Sequence, residues 1–131
     1  MTVRGTGVKG FAKGRAFVVK DTGQRNPFED IPAGSILVAK SISLSDSALI
    51  DFRNVKGIVS EEEDHEGQIN VLATGLGIPA IVGIGEFAKE IVNGDRLLIQ
   101  NFDLIVNPDL ETVNNFEQLR SASSDQLTLD M

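Results

Sequence analysis

Residues 57–83 read GIVSEEEDHEGQINVLATGLGIPAIVG. The segment opens inside a β-branched apolar run, residues 55–59, whose composition suits a buried strand. Five carboxylates then crowd the six positions from Glu61 to Glu66, with His65 among them. Beyond them Ile69, Leu72, Ala73 and Leu76 fall at i, i+3, i+4 and i+7, so a helix is expected from about Gly67. Gly75-Leu76-Gly77 supplies a stop and Pro79 forbids continuation. Ala80, Ile81 and Val82 read as the next strand. Strand, acidic loop, helix, strand is the grammar of an α/β domain.

Working outward, residues 35–39 form a second buried-strand candidate. Ser43-Leu44-Ser45-Asp46 has the Ser-x-x-Asp spacing of a helix start, with Ala48, Leu49 and Phe52 as the apolar face of a short helix. Residues 3–20 read as two strands punctuated by Gly5, Gly7, Gly10 and Gly14, and residues 20–32 as a polar loop. The G-x-G-x-x-G spacing at Gly5, Gly7 and Gly10 precedes another strand-like run, not a helix, so it does not make a dinucleotide site. Downstream come a helical turn near residues 86–91 and a hairpin of residues 96–100 and 104–106. A final helix, capped by Asp109, carries Leu110, Val113, Phe116 and Leu119. Residues 1–119 are thus expected as one domain and residues 120–131 as a flexible tail.

Composition narrows the function classes. The chain has 131 residues, 41% hydrophobic and 24% charged, which suits one folded domain with its own core. A net charge of -7 and the lack of a basic patch argue against nucleic acid as a partner. No apolar run approaches the ~20 residues that cross a bilayer, and the N-terminus has no secretory pattern, so a cytoplasmic location is expected. Without cysteine there is no disulfide, thiolate nucleophile or thiolate metal site.

Aligned without a gap, residues 57–83 resemble the phosphohistidine segment of the mobile domain of phosphoenolpyruvate-utilising enzymes, G-I-V-T-E-E-G-G-x-T-S-H-A-A-I-x-A-R-x-L-G-I-P-A-V-V-G. Leu76-Gly77-Ile78-Pro79-Ala80 followed by Val82-Gly83 is the most specific block. Ser43-Leu44-Ser45-Asp46-Ser47-Ala48 is similar to the L-S-P-S-D-T-A stretch of enzyme I of the sugar phosphotransferase system, with Leu44 in place of the proline. Phe11-Ala12-Lys13-Gly14-Arg15-Ala16 resembles that enzyme's G-x-A-x-G-x-A opening, and Asn93-Gly94-Asp95 with Val106-Asn107-Pro108 its last strands.

This resemblance implies a swivelling β/β/α domain of the phosphohistidine type. In that family a histidine accepts a phosphoryl group at one site and delivers it at another, with a helix N-terminus, a glycine pair, Thr-Ser and an arginine cradling the charge. Here Gln68 stands at the histidine's position, Glu63-Asp64 at the glycine pair, Glu66-Gly67 at Thr-Ser and Thr74 at the arginine. A carboxamide is too weak a nucleophile for phosphoryl transfer, and the carboxylates repel a phosphate. Only the helix N-terminus is left of the cradle.

The residues therefore imply a degenerate mobile domain, without phosphotransfer and not active alone, serving as a binding, regulatory or structural module. The alternative is a phosphoryl carrier or small subunit of a phosphoenolpyruvate-dependent phosphotransferase that uses His65 or a partner's residues. His65, the only histidine, is a candidate displaced acceptor or, with Glu63, Asp64 and Glu66, part of a candidate cation site. Otherwise it is an exposed loop residue, and Gln68 a tolerated surface one. No cofactor is expected. The resemblance further implies a protein partner or a larger catalytic subunit. Enzyme I carries an inserted helical domain, whose place residues 20–32 take here, and a barrel that binds phosphoenolpyruvate with magnesium.

Overall fold

The computed structural model describes the backbone of residues 1–19 and 26–129. Eight strands form one sheet: β1 (Thr2–Arg4), β2 (Thr6–Val8), β3 (Phe11–Val18), β4 (Ser35–Ala39), β5 (Val55–Ser60), β6 (Ala80–Val82), β7 (Arg96–Gln100) and β8 (Asp103–Val106). Their order is β1-β8-β7-β3-β4-β5-β6-β2. Strands β3 to β6 run parallel, flanked by antiparallel pairs on both sides.

The order has a geometric consequence. β1 pairs with β8 at one edge and β2 with β6 at the other, yet only Gly5 separates β1 from β2. Consecutive Cα atoms are about 3.8 Å apart, so the sheet must curl until its two edges meet. Gly5 sits at that seam. Its amide donates to the Phe102 carbonyl at 3.0 Å, and a Cβ there would fall 2.6 Å from Ile81 Cγ2 and 2.7 Å from the Val82 oxygen. The opening segment that reads as two strands in the sequence is therefore three, with the first two bridging the seam.

The curled sheet buries side chains on both faces, following the two-residue alternation of each strand. Ile36, Val38, Val59, Ile81, Leu97, Ile99, Leu104 and Val106 fill one side, joined by Ala12 and Ala16. Leu37, Ala39, Ile58, Ala80 and Val82 face the other, covered by Ile69 and Ala73 of helix α2 (Gln68–Leu76) and by Phe28, Ile31, Ile42 and Ile50. That is why β4 is apolar at every position but its first and buried throughout. Gly14 marks the tightest approach between β3 and its surroundings, because a Cβ there would overlap the Gly34 carbonyl.

Most expected elements lie where the sequence places them. The first helix is shorter: α1 is Leu44–Ser47, closed by a Ser43–Asp46 capping box, and Phe52 belongs to a separate 3-10 turn, Phe52–Asn54. Helix α3 starts as expected, with Asp109 accepting from the Thr112 amide at 2.8 Å, but runs Leu110–Leu129. The expected tail is thus helical up to Leu129. No Gly or Pro occurs between Leu110 and Leu129 to stop it. Phe116, fully buried, anchors α3 edge-on against Phe11 of β3, with ring centroids 5.9 Å apart. Among the described residues no helix is long and apolar enough to cross a membrane.

Candidate functional site

The site lies where the parallel strands end. After Ser60 the chain leaves β5 into the acidic loop, which is held by backbone hydrogen bonds on both sides. Glu61 and Glu62 amides donate to the Ala39 and Lys40 carbonyls at 3.0 and 2.9 Å; Gly83 and Gly85 amides donate to the Glu62 and Glu61 carbonyls at 3.1 and 3.0 Å. The buried Ser60 hydroxyl donates to the Glu62 carbonyl at 2.8 Å, with the Lys40 carbonyl 3.2 Å away. The acidic loop is consequently a fixed ledge across the ends of β4, β5 and β6. Gly83, with φ of 75°, is also the point where a side chain would press on Glu63, whose Cγ lies 3.1 Å from the Cβ position.

From this ledge a tight turn leads into α2, the Gly67 amide donating to the Asp64 carbonyl at 3.0 Å. Gly67 is the N-cap residue in a left-handed conformation, φ 69° and ψ 14°, and has no side chain with which to satisfy the helix. Asp64 does so instead. Its Oδ1 accepts from the Ile69 amide at 3.1 Å and its Oδ2 from the Asn70 amide at 2.9 Å. These are first-turn donors that the helix itself leaves without an acceptor, and a carboxylate at this end also complements the helix dipole.

The helix N-terminus lies where the sequence places it, with its Ile69 and Asn70 amides already taken by the chain's own carboxylate. A sequence scan for caps looks immediately before the first helical residue, where Gly67 stands; the capping carboxylate is three residues farther back and folds in over the turn. The signal was visible only as one acidic residue among five.

Gln68 begins α2 and is half-buried at the edge of a groove of about 460 Å³ between α1 and α2. His65 is exposed on the turn, as is Glu66, which also borders the groove. With both Asp64 oxygens turned to the helix backbone, the four residues of the acidic turn do not converge: among the described residues no group of three or more His, Asp or Glu side chains is placed to hold a metal ion. Of the groove's apolar walls, Leu44 from α1 stood out in the sequence only as the residue in place of the proline, and Val71 from α2 lies outside that helix's apolar set of Ile69, Leu72, Ala73 and Leu76.

Comparison with known proteins agrees with this architecture. Residues 31–101 match the family described as PEP-utilising enzyme, mobile domain. The phosphoenolpyruvate-protein phosphotransferase of Haloferax volcanii is 32% identical over 95 residues, covering 71% of this chain and 17% of that protein. The protein of the same description from Buchnera aphidicola is 27% identical over 122 residues, covering 84% of this chain and 21% of the relative. The chain therefore spans about a fifth of these curated relatives. A solution structure of an Enzyme I protein superposes with a TM-score of 0.67 at 24% identity, over 74% of this chain and 40% of the other. An N-terminal domain of the nitrogen Enzyme 1 gives 0.56 at 22% identity, over 71% and 40%. With residues 31–101 matched by the family model and a curated relative 32% identical, the chain belongs to the mobile-domain family of phosphoenolpyruvate-utilising enzymes.

Proposed function

We propose that this mobile domain no longer carries a phosphoryl group and acts as a binding or regulatory module that engages a larger polypeptide. The reading rests above all on Asp64, whose carboxylate sits on the Ile69 and Asn70 amides where an incoming phosphoryl oxygen would need donors. Gln68 supports it. The lone pair of a carboxamide nitrogen is delocalised into its carbonyl, so no nucleophile stands at the acceptor position. His65 is three residues away on an exposed turn between Asp64 and Glu66. A phosphoryl group there would meet carboxylates on both sides and no cation from this loop.

The test is intact-mass analysis of the purified chain after incubation with phosphoenolpyruvate, magnesium and clarified host lysate, with a His65→Ala control. An unchanged mass is the expected result. Gain of one acid-labile phosphoryl group, lost in His65→Ala, would make the domain a carrier with a relocated acceptor.

A further inference from the structure

The groove beside Gln68 has the chemistry of a peptide-docking site. Its floor is apolar, with buried Ile42 and Ile69, and its two walls are Leu44 and Val71, which remain 76% and 75% exposed. Aliphatic walls over an apolar floor, with few polar groups between them, give the groove the make-up of a binding pocket. Charge states what the cover should carry. Glu66 is the only charged residue among the described residues that line the groove, and the loop that bears it continues through four more carboxylates.

We propose that this groove receives a protein segment that inserts a leucine-like side chain between Leu44 and Val71 and sets a lysine or arginine against Glu66. The proposal rests on the binding-module reading above and supplies the chemistry of its partner. An acidic segment would meet like charge along the ledge from Glu61 to Glu66, whereas a basic one is steered toward it. The apolar insertion then gives the affinity, because desolvating one large aliphatic side chain against Leu44 and Val71 is worth at least about tenfold in binding.

The experiment is amide-shift mapping on the full 131-residue chain with three synthetic peptides of equal length: leucine/lysine, serine/lysine and leucine/glutamate. The leucine/lysine peptide should move the amides of residues 43–47 and 66–72, binding about tenfold more weakly to Leu44→Ser or Val71→Ser. Both substitutions are at exposed positions, so the fold should persist. Glu66→Lys should weaken the same peptide, most at low salt. Equal shifts from the serine/lysine peptide, or shifts elsewhere, would overturn the proposal. Concentration-dependent broadening of these amides without peptide, abolished by Leu44→Ser, would also overturn it, in favour of a second copy as the cover. Phosphorylation at His65 in the intact-mass test would remove the binding-module reading without altering this map; failure of the map in an unphosphorylated chain would remove only the groove.

Discussion

Asp64 Oδ2 accepts the Asn70 amide at 2.9 Å across the Gly67 turn, so a residue of the acidic loop, and not the N-cap position, closes the start of α2. The same carboxylate binds the Ile69 amide. Removing it should therefore be felt in the helix. Asp64→Ala is expected to lower stability by about 0.5–2 kcal/mol, the usual range for a lost cap, with loss of hydrogen-exchange protection at Ile69 and Asn70. Chemical denaturation and amide exchange check this; unchanged protection at both amides would mean that the cap is dispensable.

Gly14 is needed for space. A side chain there would overlap the Gly34 carbonyl, with Ile36 Cγ1 already in contact at 3.4 Å from the Cβ position. Gly14→Ala should cost about 1–3 kcal/mol through overpacking and disturb the amides of β3 and β4. A thermal melt with a backbone amide spectrum measures both.

Phe116 should dominate the attachment of α3. It is fully buried and meets Phe11 edge-on, with the Arg120 guanidinium 5.8 Å from its ring centroid. Phe116→Ala is expected to cost about 3–5 kcal/mol, as for other large-to-small aromatic truncations in a core. Limited proteolysis should then cut first within α3.

Acid should loosen the same helix. Hydrogen bonds from the Thr112 side chain and then from its amide hold the Asp109 carboxyl below its ordinary pKa, and the hydrogen bond from Lys13 does the same for Glu117, 2.8 Å away. Each folded-state pKa is depressed, so each contribution is present above the unfolded value and is lost as pH falls through the folded one. Protection of the Thr112 amide should therefore drop only below about pH 4, the ordinary carboxylate range. Carboxyl NMR titration checks the two groups separately. Salt should raise the Glu117 midpoint more than that of Asp109, because Glu117 depends on an exposed cation and Asp109 on uncharged donors of Thr112.

Much of this fold was legible in the sequence because its strands are short, β-branched and bounded by glycine or proline. Residues 35–39 and Ala80–Val82 emerge as strands with the expected limits, and Gly77 stops α2 in the left-handed conformation its position suggests. The seam at Gly5 was not legible, since it depends on pairing with β6 and β8, both far along the chain. The length of α3 was misjudged because apolar spacing fades after Leu119 while helix-permitting residues continue. At the site, the proposal that Gln68 stands at the family's histidine position rests on the sequence alone. The role of Asp64 needed coordinates, because five neighbouring carboxylates look alike until one of them turns inward.

The most direct test of the closed cradle is an amide-shift titration of the wild-type chain and Asp64→Gly with inorganic phosphate. The wild-type Ile69 and Asn70 amides should stay in place at millimolar phosphate, and those of Asp64→Gly should move. Saturable movement of both amides in the wild type would contradict the account, because the helix N-terminus would then be open to a phosphoryl group.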